Sequence, residues 1–114
     1  MSSEYIEVTR RVEFDTAHRV IGHQFKCKYL HGHRFVLEVT FRSKLLDDIG
    51  MVVDFGLLKE KIKGWTDEFL DHTVILHKDD EELGSYISSY TGQRVYYLEN
   101  NPTVENIALH IKND

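Results

Sequence analysis

One cysteine, Cys27, and one proline, Pro102, are all that 114 residues carry of either type. A single thiol excludes a disulfide framework within the chain. No Pro/Gly-rich linker, low-complexity tract or internal repeat interrupts the sequence. No apolar run approaches the roughly 18 residues of a membrane span. The opening MSSEYIEVTRR has no apolar core of a signal peptide, which makes the cytoplasm the expected compartment. Positive charge is also in short supply. Fourteen Lys and Arg face nineteen Asp and Glu, for a net charge of −5. That balance predicts no general affinity for nucleic acid or anionic membrane. What remains is an ordinary globular composition, 41% hydrophobic and 29% charged, of a length expected for a single domain over residues 1–114. So short a chain buries a modest core, and oligomerisation would help it.

Residues 4–18 alternate. Ile6, Val8, Val12, Phe14 and Thr16 fall on one face, and Glu7, Thr9, Arg11 and Glu13 on the other, as in a half-buried strand. Residues 31–42 alternate as well, with His31, His33, Phe35, Leu37, Val39 and Phe41 sharing a face. Asp54 is a candidate N-cap. After it, Phe55, Leu58, Ile62, Trp65 and Phe69 step by three and four, predicting an amphipathic helix. Leu83, Tyr86, Ile87 and Tyr90 suggest a second helix, stopped by Gly92. Residues 94–99 form a short strand candidate. Asn101-Pro102-Thr103 is a turn into a third helix with Val104, Ile107, Ala108 and Ile111. The order strand, strand, helix, helix, strand, helix predicts an α+β fold: an antiparallel sheet with helices on one face.

The chemistry gathers in the first third of the chain. His31 and His33 are two apart on a strand, so both imidazoles leave the same face. His18 ends the first strand in phase with its apolar row. If the two strands pair antiparallel across the loop of residues 19–30, all three histidines meet at one end of the sheet. Three neutral imidazoles with an open fourth position make a catalytic zinc site, and Zn²⁺ there acts as a Lewis acid. Histidines in such positions also occur as surface or hydrogen-bonded core residues. Cys27 lies close enough in sequence to be a fourth ligand that would close the site. Residues 16–37 contain no acid, while Arg19, Lys26, Lys28 and Arg34 are basic. This positive island suits a polyanionic substrate and would favour a Cys27 thiolate, although basic loops also arise by chance. The pair Asp71-His72 is uninformative by itself. His23, His77 and His110 read as solvent-facing.

Five stretches together resemble the family of 6-pyruvoyl-tetrahydropterin synthase and 6-carboxytetrahydropterin synthase. They are F-D-T-A-H-R (14–19), C-K-Y-L-H-G-H (27–33), G-M-V-V-D-F-G-L-L-K (50–59), L-D-H (70–72) and N-P-T-V-E-N-I-A (101–108). They keep the family's order and span nearly all of the chain. The resemblance implies the tunnelling fold, with subunits joined as a trimer or hexamer and active sites between them. It implies that His18, His31 and His33 hold zinc, that Cys27 is the catalytic thiol and that Asp71 and His72 form the dyad that works with it. Thr103 matches a position at the pterin pocket, and Glu105 lies near it.

The C-x3-H-G-H spacing around Cys27 is similar to the bacterial 6-carboxytetrahydropterin synthases. That similarity implies conversion of 7,8-dihydroneopterin triphosphate to 6-carboxytetrahydropterin, acetaldehyde and triphosphate. Residues 79–99 form an extra segment within this pattern. Two alternatives stand beside that expectation: a 6-pyruvoyl synthase that eliminates triphosphate, and a shortened, inactive relative that only binds metal. The third arises because family members continue past the helix near Thr103 into two more strands. One of these bears a pterin-gripping glutamate, and the sequence shows no match for it before Asp114.

Overall fold

A computed structural model of the chain describes residues 4–112. Two long strands dominate it, β1 (Ile6–His18) and β2 (His31–Ser43). They pair antiparallel along their whole length, from Ile6 opposite Ser43 to His18 opposite His31. Alternation alone predicts both strands to within two residues at each end. Helix α1 (Phe55–Phe69) follows, capped as expected by Asp54, whose carboxylate accepts from the Leu57 N–H at 3.1 Å. Next comes β3 (Thr73–His77), then α2 (Glu81–Thr91), β4 (Val95–Leu98) and α3 (Val104–Lys112). Gly92 ends α2 with φ of 75°, the left-handed conformation that favours glycine.

The sheet corrects two expectations. Its order is β2-β1-β3-β4, and only the β1–β2 pair is antiparallel. β3 runs parallel to β1 through Thr16–His18, and β4 runs parallel to β3. The helices also occupy both faces rather than one. Phe14, Phe35, Ile75 and Leu98 pack with Leu70 and Ile107, flanked by Trp65, Phe69 and Ile111; α1 and α3 therefore cover this face. Val74 and Leu76 point the other way and are buried too. They share that side with Tyr97, against which α2 lies so closely that a Cβ on Gly84 would strike the Tyr97 ring. A strand covered on both faces reads as an unbroken apolar run, here V-I-L after a buried threonine, and gives no alternation to find. Tyr86 and Tyr90 are accordingly not core residues of α2. They stack on each other in solvent, with ring centroids 5.7 Å apart.

The ribbon of β1 and β2 extends beyond the rest of the chain. Residues 6–15 of β1 have β2 on one side and no described strand on the other. The radius of gyration is 17.3 Å, against about 13 Å for a compact chain of this length. The accessible surface is 8123 Å², against about 6,500 Å² for a folded monomer of this mass.

Candidate metal and acid–base site

Register assembles the histidine cluster. His18 is opposite His31 and Thr16 is opposite His33, so the three imidazoles stand on one face at the closed end of the ribbon. Their nearest ring nitrogens lie within 4.8 Å of one another, and no other described residue joins the group. His18 Nε2 and His33 Nε2 are 3.1 Å apart, close to the edge of about 3.3 Å in a tetrahedron with ~2.0–2.1 Å metal–nitrogen bonds. His18 Nδ1 donates to the Pro102 carbonyl at 2.6 Å, and His31 Nδ1 donates to the Tyr29 carbonyl at 2.7 Å. Each bond sets the tautomer and leaves Nε2 as the free lone-pair donor, the usual support of metal-ligating imidazoles. Burial pushes the His18 pKa below its ordinary 6.5; the Pro102 carbonyl opposes this, and the other two imidazoles add to it. His18 is thus buried, with its tautomer set, between two other imidazoles. The residues present fit a metal ion.

Neither carbonyl partner is legible as a side-chain motif. Asn101-Pro102-Thr103 is visible as a turn, but its role in seating His18 depends on where α3 begins. The Thr103 hydroxyl accepts from the Asn106 N–H at 3.1 Å, making Thr103 the N-cap of α3 and fixing the carbonyl just before it. Glu105 is an exposed acid in the first helical turn, placed favourably for the helix dipole.

Cys27 occupies a short 3-10 turn, Lys26–Lys28, and is half-buried. Its carbonyl accepts from the Val20 N–H at 2.8 Å, drawing the loop back against the end of β1. The thiol is not part of the histidine group.

Asp71 and His72 sit in the turn between α1 and β3. Asp71 accepts from the Asp15 N–H at 2.9 Å through one oxygen, and its other oxygen is 3.1 Å from His72 Nδ1. That backbone bond is the main reason the Asp71 carboxyl titrates below its ordinary 3.8; burial opposes it and His72 reinforces it. His72 has φ of 57°, a left-handed conformation that costs a non-glycine residue about 1–2 kcal/mol. Its side chain is 77% exposed. Beside it lies a groove of about 420 Å³ lined by Asp15, Ala17, Gly32, Arg34, His72 and Gln93, among others. Ala17 and Gly32 are opposite each other on the face away from the histidine rings, and their small size leaves this space. Among the described residues, no hydrogen bond or ion pair joins Cys27 to Asp71 or His72.

The positive island is smaller than the sequence suggests. Arg19 makes a two-pronged ion pair with buried Asp80, one prong at 2.6 Å. Arg34 pairs with Asp15 at 3.2 Å and Glu13 at 3.5 Å. Lys26 and Lys28 are left on the loop, with Lys28 over the Tyr29 ring. His77 and His110 are half-buried rather than solvent-facing, and His110 Nε2 lies 2.6 Å from the Tyr96 hydroxyl; only His23 is exposed as expected. No helix among the described residues is long and apolar enough to cross a membrane.

Comparison with known proteins adds the following. A family model described as 6-pyruvoyl tetrahydropterin synthase matches residues 7–114. The 6-carboxy-5,6,7,8-tetrahydropterin synthase of Rickettsia bellii is 64% identical over 109 residues, covering 96% of this chain and 79% of that protein. The enzyme of the same name from Aquifex aeolicus is 34% identical over 120 residues, covering 90% of this chain and 74% of its own. The crystal structure of an uncharacterized protein from Wolinella succinogenes superposes with a TM-score of 0.63 at 27% identity. That match covers 78% of this chain and 56% of the other.

Proposed function

This chain belongs to the 6-pyruvoyl tetrahydropterin synthase family, and we propose that it is a zinc-dependent 6-carboxytetrahydropterin synthase. In this reading it converts 7,8-dihydroneopterin triphosphate and one water to 6-carboxytetrahydropterin, acetaldehyde and triphosphate. The observation that carries the metal half is the convergence of three imidazoles, two with Nδ1 committed to backbone carbonyls. The 6-carboxy product is supported by the Cys27 spacing before His31 and by the names of relatives as similar as 64% identical.

His18, His31 and His33 would hold the zinc, which supplies Lewis-acid polarisation when bound. The remaining work belongs to the chain. Cys27, as thiolate, accepts a proton from the pterin side chain. His72 serves as the complementary acid–base group, and Asp71 orients its ring through Nδ1. Lys26 and Lys28, rather than all four basic residues, meet the triphosphate. Thr103 and Glu105 border the pterin; the N-cap role of Thr103 supports an indirect contribution through Pro102 and His18.

That no hydrogen bond or ion pair among the described residues joins Cys27 to the Asp71–His72 turn supports sites completed between subunits. So do the unpaired strand edges and the large surface of the chain. We assign the working form to a homo-oligomer, trimeric or hexameric.

Product analysis tests the reading. Purified protein with added zinc and dihydroneopterin triphosphate should release acetaldehyde together with a 6-carboxypterin. A 6-pyruvoyl product without acetaldehyde would move the chain to the activity that gives the family its name. Absence of turnover in folded, zinc-loaded protein would leave only metal binding.

A further inference from the structure

The parallel pairing of β3 with β4 has a consequence at their shared starting end. Val74 is opposite Val95, and the Val74 N–H donates to the Arg94 carbonyl at 3.1 Å. The residues just before β4 therefore lie beside those just before β3. These are Gln93 and Arg94 on one side, Asp71 and His72 on the other. They are twenty-odd residues apart in sequence, with all of α2 between them.

The contacts across this junction all go to carbonyls. Gln93 Nε2 donates to the His72 carbonyl. Arg94 Nη1 donates to the Glu68 carbonyl, and Arg94 Nη2 reaches the Asp71 carbonyl at 2.9 Å and the Asp67 carbonyl at 3.5 Å. Asp67 and Glu68 belong to the last turn of α1, whose carbonyls have no partners within the helix. That turn carries no basic residue of its own. A cation from a distant segment thus completes the end of α1 and complements its dipole. The same guanidinium holds the carbonyl of the residue before His72, while Gln93 holds that of His72 itself. From the opposite side, the Asp15 carbonyl accepts from the His72 N–H at 2.7 Å. The left-handed His72 is gripped on both sides.

We propose that Gln93 and Arg94 are positioning residues for the Asp71–His72 pair. They clamp the carbonyls of the α1–β3 turn and so keep His72 Nδ1 on the Asp71 carboxylate. The inference rests on the acid–base reading of that pair. It gives residues 79–99 a function: α2 and β4 return the chain to the back of the site and deliver the clamp.

Gln93→Glu keeps the side-chain shape and removes the donor. Arg94→Ala removes the guanidinium, and Arg94→Lys restores the charge without the fork. The readouts are kcat and KM separately, and the ¹⁵N signals of the His72 imidazole, which report whether Nδ1–H is held. Gln93→Glu should lower kcat about tenfold and leave KM within about twofold, because a loosened group loses alignment rather than binding. Its His72 signal should move toward that of a freely solvated imidazole. Arg94→Ala should lower kcat further, and Arg94→Lys should recover part of the loss. Should Arg94→Ala fail to fold, Gln93→Glu decides alone. Wild-type kcat and an unmoved His72 signal in Gln93→Glu, with turnover lost in His72→Ala, would overturn the clamp alone. Full turnover in His72→Ala would overturn the acid–base reading and this inference with it.

Discussion

The histidine cluster and the Asp71–His72 turn are supported in opposite ways. His18 is buried, and the cluster stands on two regular strands whose register alone brings the rings together. Its supporting bonds come from backbone carbonyls of Pro102 and Tyr29. His72 is exposed, strained, and held by side chains from another part of the chain. A metal site needs fixed lone pairs and tolerates burial. A proton-transfer group needs access to substrate, and its geometry must be imposed from behind. The first kind of site can be complete within one chain. The second, with His72 77% exposed, is left open to solvent.

That contrast can be broken most severely at Cys27. Cys27→Ala should retain the metal and the assembly while losing about 10²–10⁴-fold in turnover, the usual worth of a proton-transfer group. Loss of metal in that variant would make Cys27 a ligand and erase the division between the two halves. A smaller effect separates strain from chemistry at residue 72. His72→Gly and His72→Ala should both lose turnover. The glycine variant should be more stable than the alanine variant by about 1 kcal/mol, since only glycine adopts φ of 57° freely; thermal unfolding measures this. Equal stability would mean that the turn relaxes when the imidazole is gone.

The cap of α3 offers a comparable effect on the other half. Thr103→Ala should cost about 1 kcal/mol in unfolding free energy. It should weaken metal binding modestly by loosening the Pro102 carbonyl that seats His18. Unchanged metal affinity would show that this carbonyl is held without the cap. The smallest expected effect is on acid stability. Asp71 titrates below its ordinary 3.8 in the folded chain. Its contribution is therefore full above about pH 5, declines as pH falls through the unfolded value, and is gone below the folded one. Asp71→Asn should flatten the fall of melting temperature between about pH 5 and pH 3. An unaltered slope would mean that other carboxylates govern acid unfolding.

The two halves were also unequally legible in the sequence. Period-two alternation is a local signal: it puts His31 and His33 on one face of their strand and His18 in the apolar row of its own, and only the antiparallel register joins the three. The N-cap at Asp54 and the stop at Gly92 were local as well. β3 escaped because burial on both faces removes alternation, and without β3 neither the parallel pairing nor the second helical layer could be foreseen. The same gap hid Gln93 and Arg94 from the dyad. Arg19 reads as part of a basic loop because its partner, Asp80, lies 61 residues away. Tyr86 and Tyr90 kept helical spacing yet face solvent. Spacing shows that residues share a face, not what that face meets.

The most direct test of the account is the metal content of the chain made with ample zinc. The measurement should be made on the wild type and on a triple variant, His18→Ala, His31→Ala and His33→Ala, confirmed as folded. The account predicts about one zinc per chain in the wild type, set by a single three-histidine site, and essentially none in the triple variant. A zinc-free wild type, or full zinc retention in the triple variant, would contradict it.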